Sequence, residues 1–159
     1  MSSLIKKIDD YWLTKASAQT PQQTNKRSTH GYLASATLLA AHAISYSNPL
    51  TGAVSALLGG LSFKQHLAPD LEEALNVTYK PRRTSDRLLD FAITSFGVAG
   101  SVGGLASAIA MYDNPEIFSI SLSIAQQGAA LNAFSVGMYA KAAREQHLYK
   151  QQTSSESIK

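Results

Sequence analysis

The sequence predicts an all-α protein: two helical hairpins forming a four-helix body, plus an N-terminal amphipathic helix and a short middle helix. Three observations carry that prediction. A Tyr-x-Asn-Pro turn occurs twice, as Tyr46-Ser47-Asn48-Pro49 and Tyr112-Asp113-Asn114-Pro115. Uncharged stretches flank both turns, 28–63 around the first and 91–112 with 117–140 around the second. All 14 Lys and Arg residues lie in the N-terminal, middle or C-terminal segments, and neither corner holds one.

These features divide the chain. Residues 1–29 read as an amphipathic helix and a polar linker, and 30–148 as a single helical domain. Within that domain, hairpins 31–63 and 88–146 enclose a polar middle, 64–87, and a disordered tail is expected at 149–159. A length of 159 residues suits one domain with a buried core. The first helix is expected over 3–17, where Leu4, Ile5, Ile8, Tyr11 and Trp12 recur at helical spacing opposite Lys6, Lys7, Asp9 and Asp10. It can lie at a membrane interface or pack on the protein's own body. Residues 18–29, rich in Gln, Thr and Asn with Pro21, read as linker.

The first hairpin joins a helix at 31–47 to one at 50–63. Pro49 suits the first turn of a helix and Asn48 the cap before it. Gly52, Ala56 and Gly60 repeat every four positions, a spacing that lets helix backbones approach closely. In the middle segment, Asp70-Leu71-Glu72-Glu73 resembles a capping box for a short surface helix at 70–79, which Pro81 ends. Arg82, Arg83 and Arg87 cluster before the next apolar run as lipid-facing basic residues, expected to anchor the topology ahead of binding anionic headgroups, and Ser85 reads as the helix N-cap. The third helix, 88–112, contains a GxxxG match at Gly100 and Gly104. The fourth opens at Glu116 and carries a polar stripe of Ser119, Ser123 and Gln126. At an offset of sixty-six residues Gly31, Ser35, Tyr46, Asn48 and Pro49 meet Gly97, Ser101, Tyr112, Asn114 and Pro115, a partial internal repeat.

Composition favours a membrane. Charged residues are 16% of the chain, against roughly 25% in an average soluble domain. The mean hydropathy of −0.07 hides segregation of polar termini and middle from charge-free runs. The positive-inside rule then puts both termini and the middle in the cytosol and both corners outside. No signal peptide or lipidation signal is read at the ends, so the helices themselves are expected to direct insertion. The length of the first hairpin opposes this reading. Its arms of about seventeen and fifteen residues reach roughly 22–26 Å, whereas a span of the hydrocarbon core needs roughly 20 residues.

The chemistry-bearing residues point away from catalysis. The four His residues have no metal spacing, Cys is absent, and no P-loop, dinucleotide fingerprint or nucleophile elbow occurs. No cofactor or metal is expected. His42 reads as a hydrogen-bonded interior His, for which Gln126, Gln127 or Asn132 could supply a partner. Net charge is only +3, without the basic and aromatic interleaving of a nucleic-acid surface. Asn76-Val77-Thr78 matches a glycosylation sequon, but on the cytosolic side it would stay unmodified.

The expected function is that of a small polytopic membrane protein in a structural, assembly or accessory role. Its partners would be membrane lipids and other membrane or helical subunits, a second copy included, with no nucleic acid. Its layout, two hairpins with all charge on one side plus an amphipathic helix, is similar to that of reticulon-type proteins, and this resemblance implies membrane shaping as an alternative. Further alternatives are a small pore or carrier lined by the polar stripe and a soluble helical effector or interaction protein.

Overall fold

The computed structural model describes residues 2–45, 49–67 and 83–156. They form five helices: α1 (Ser2–Ser17), α2 (Pro21–Ser45), α3 (Pro49–Leu67), α4 (Thr84–Ala110) and α5 (Pro115–Glu156). There is no strand among the described residues. Tyr46 and Asn48 of the first corner, Arg82, the expected short helix at 70–79 and its sequon lie outside the described residues.

Local chemistry accounts for the helix ends. The stretch 18–29, expected as a linker, is helical from Pro21. Thr20 and Gln23 form a reciprocal capping box, with Gln23 N donating to Thr20 Oγ1 (3.3 Å) and Thr20 N donating to Gln23 Oε1 (3.1 Å). Pro21 occupies the first helical position, where its missing N–H costs nothing. At the second corner Asn114 caps α5 through Ile117 N to Asn114 Oδ1 (3.3 Å), and Pro115 opens the helix. The N-cap of α4 is Arg83 rather than Ser85: its N–H donates to Asp86 Oδ2 at 3.1 Å, placing a carboxylate in the first turn, where the helix dipole favours it. The expected disordered tail is helical through Glu156. Its Gln, Lys and Glu residues favour helix, and Thr153 and Ser154 return their hydroxyls to the carbonyls of Tyr149 and Lys150.

Helices α2 and α5 pack side by side and antiparallel. Gly31 approaches Ala133 and Gly137 at one end, and His42 meets Ser123 and Gln127 further along. Helix α3 lies along the flank of α2, and α4 along the flank of α5. Helix α1 packs against α5 and α4: Ser17 Oγ donates to Gln146 Oε1 (3.3 Å), and Trp12 lies tilted beside Tyr139 with ring centroids 6.5 Å apart. Arg87 ties α1 to α4 by bonding Asp10 (3.2 Å) while standing 3.7 Å from the buried Asp9.

The first hairpin's helices exceed their apolar runs. Helix α2 has 25 residues and α3 has 19, so α3 alone is about 28 Å long. Among the described residues one helix, α4, is both long and apolar enough to cross a membrane. Its 27 residues include a window with mean hydropathy 1.5, of which 17% is buried.

Candidate functional site

Polarity in this protein is inverted. Among the described residues, five of the eight buried hydrophobic ones are alanines, and the largest fully buried side chains are His42, Thr24, Asp9, Ser35, Ser55 and Ser62. Many large apolar side chains among the described residues point outward, including Ile44 (86% exposed), Phe96 (70%), Ile109 (69%), Leu57 (67%) and Val102 (65%). In a water-soluble domain such residues fill the core, and contiguous exposed apolar surface marks an interaction or a membrane.

Small residues set the distances that the polar interior needs. On α4, Gly97, Gly100 and Gly104 face α5, whose Gly128 lies so close that a Cβ there would overlap the backbone of Gly100 and Ser101. With the helices this near, short side chains reach across. Ser135 and Thr94 hydroxyls are 2.6 Å apart, Asn132 Nδ2 donates to Ser101 Oγ (2.9 Å), and Ser121 Oγ donates to Ser107 Oγ (2.9 Å). The donors are consistent along the chain. Thr94 and Ser101 give their own protons to the carbonyls of Asp90 and Gly97, each at 2.7 Å, so they accept from α5.

The most elaborate cluster joins α2, α3 and α5 at His42, which is completely buried. Its Nδ1 lies 2.8 Å from Ser55 Oγ, and its Nε2 lies 2.6 Å from Ser123 Oγ and 3.1 Å from Gln127 Nε2. With the Gln127 amide oriented to donate from Nε2, His42 Nε2 accepts and the ring proton is assigned to Nδ1, directed at Ser55. Ser35 and Ser62 add a second α2–α3 link at 3.2 Å, and Gln126 Nε2 donates to Leu38 O at 3.1 Å. The arrangement can bind helices together and fix their rotation. No three His, Cys, Asp or Glu side chains converge on a metal position among the described residues.

The sequence-derived site residues fall into three groups. Gly100, Gly104, Ser123 and Gln126 lie in the interhelix seams. Gly52 contacts α2 through Ala43 O, but Ala56 is exposed and Gly60 has nothing near its Cβ position. The packing face of α3 is therefore Gly52, Ser55, Gly59 and Ser62, with Gly59 against Leu39 and Ala36. A strict four-residue repeat advances about 40° per step at 3.6 residues per turn, whereas alternating steps of three and four stay on one face. Ser119 is exposed, which shortens the expected stripe. Of the basic cluster, Arg83 is exposed and caps α4, while Arg87 pairs with α1 and is not free for lipid headgroups. At the second corner Tyr112 is 70% exposed and Asn114 and Pro115 begin α5. Pro49 begins α3.

Sequence reasoning missed Gly128, the Gly31–Gly137 approach and the buried Ser35, Ser55 and Ser62. The three-four spacing of small residues on α3 was the available signal for Ser55 and Ser62. No protein-family model matches the chain, and neither a curated protein nor a solved structure matches it.

Proposed function

We propose that this is a small polytopic membrane protein with a non-catalytic structural, assembly or accessory role, its two hairpins forming one four-helix body. The single observation behind this reading is the inverted polarity: His42, the buried serines and the amides pair with one another inside, while Leu, Ile, Val and Phe cover the outside. In hydrocarbon, polar side chains must find partners within the protein, and small residues at helix contacts make that possible. In water, the same exterior would promote aggregation.

The seams support a packing role over conduction, because their hydroxyls and amides bond to one another across helix pairs. Both termini and the middle segment would lie on the cytosolic side, in keeping with the placement of every Lys and Arg.

Two measurements test this. Recovery of the expressed protein in the supernatant after high-speed centrifugation without detergent would refute membrane residence. On this Cys-free chain, single cysteines at Asp113, Arg83 and Thr153, all exposed, report topology. An impermeant thiol reagent should label Asp113→Cys from outside intact cells and the other two only after permeabilisation. Labelling of all three from one side would refute the hairpin topology.

A further inference from the structure

Between α1, the first turns of α2 and the α4–α5 pair lies a cleft of about 360 Å³. Lys15 and Arg27, both exposed, sit on its wall together with Trp12 and Gln19, while Val98 and Val136 line it from α4 and α5. No carboxylate lines it. The side-chain oxygen of Gln19 is buried without a hydrogen-bond partner, an acceptor awaiting a donor. The hydroxyls and amide of Thr94, Ser135 and Asn132, also in the wall, already serve the α4–α5 seam.

The helix directions order this cleft by depth. Helix α4 runs inward from Thr94 to Val98, and antiparallel α5 runs outward from Val136 to Tyr139, beside which Trp12 of α1 lies. Ser17 reaches still further along, to Gln146. The cations and Gln19 therefore stand at the end nearest the charged segments, and the valines at the deeper end. Cation, aromatic, then apolar wall is the sequence of environments that a lipid presents from headgroup to chain.

We propose that this cleft is a binding site for an anionic glycerophospholipid with a hydroxylated headgroup, of the phosphatidylglycerol type. Lys15 and Arg27 hold the phosphodiester, the Gln19 side chain turns its buried Oε1 into the cleft to accept from a headgroup hydroxyl, and the chains leave along the half-exposed Val98 and Val136. A zwitterionic headgroup fits less well, because its own ammonium would face two cations with no carboxylate to offset them. The proposal rests on the membrane reading above.

Trp12 is the single tryptophan of the chain and lines the cleft, so it reports occupancy directly. The full-length protein is reconstituted in phosphatidylcholine vesicles containing equal mole fractions of either brominated-chain phosphatidylglycerol or brominated-chain phosphatidylcholine. Two surface cations favour the anionic lipid on the order of tenfold or more. Trp12 should therefore be quenched far more by brominated phosphatidylglycerol, and Lys15→Gln with Arg27→Gln should bring the two lipids level. Both positions are exposed, so this variant keeps its helical circular dichroism. Gln19→Leu should reduce the preference for phosphatidylglycerol over phosphatidylmethanol, which has the charge without the hydroxyl. Equal quenching by both brominated lipids in the unmodified protein, or a preference that survives the double substitution, overturns the site and leaves the membrane reading intact. No quenching by either lipid overturns both.

Discussion

Gly103 and Gly104 are neighbours on α4 with opposite surroundings, and replacing each with alanine separates packing from helix propensity. A Cβ at Gly104 would stand 2.5 Å from Ala125 N, 2.7 Å from Ser121 O and 2.9 Å from Ala125 Cα. All three are backbone atoms of α5, so no side chain can turn aside. Comfortable contact needs about 3.5 Å, and the two helices must therefore part locally by ~1 Å, which forfeits up to half the attraction between the atoms they share. Overpacking of this kind costs about 1–3 kcal/mol. Alanine recovers about 0.8–1.0 kcal/mol of helix propensity relative to glycine. At Gly103 nothing lies within 4 Å of the Cβ position, so only the propensity gain applies there. Gly104→Ala should therefore destabilise the protein by up to about 2 kcal/mol and Gly103→Ala stabilise it by up to ~1 kcal/mol. The assay is reversible unfolding of the purified protein in mixed micelles by increasing dodecyl sulfate, followed by far-ultraviolet circular dichroism. A Gly104→Ala variant as stable as Gly103→Ala would refute the close α4–α5 approach from which the whole polar seam was built.

Two further substitutions probe other contacts. His42→Ala removes the partner shared by Ser55, Ser123 and Gln127 and should cost about 2–4 kcal/mol in the same titration, since buried polar groups left unmatched cost about 1–3 kcal/mol each before relaxation; a double-mutant cycle with Ser55→Ala should show positive coupling, and strict additivity would contradict the network. Arg87→Ala removes the ion pair with Asp10 and the cation beside buried Asp9, so α1 should loosen by about 2 kcal/mol, read as faster proteolysis near Gln19 with α4 and α5 still protected; unchanged cleavage there would show that α1 is held by its other contacts alone.

Much of the helical layout was legible in the residues. Asn114-Pro115 marks the start of α5 because a capping side chain and a proline at the first helical position act within one turn. Thr20-Pro21-Gln22-Gln23 carried equally local information, but the polar composition of 18–29 obscured it. The Gln- and Lys-rich end of α5 is hidden by the same polar composition: polar residues with good helix propensity continue a helix that is already nucleated. The candidate site was less legible. Gln126, Gln127 and Asn132 stood out as possible partners for His42, and Gln127 is one, yet Asn132 bonds to Ser101 on a different helix. Serine and alanine are abundant enough here that their spacing alone did not separate an inward face from an outward one, as exposed Ser119 and buried Ser55 illustrate.

By itself, then, the amino-acid order determined the all-helical class, the corner at 112–115 and the segregation of every Lys and Arg from the corners, because each depends on neighbours within a turn or on composition along a run. Only the tertiary structure decided that Ser55 and Gly59 rather than Ala56 and Gly60 face α2, that Gly128 lets α4 and α5 touch, and that Arg87 is committed to α1. Those outcomes depend on how each helix is rotated about its axis and how near its partner lies, and both are set by the fit of two surfaces far apart in the chain.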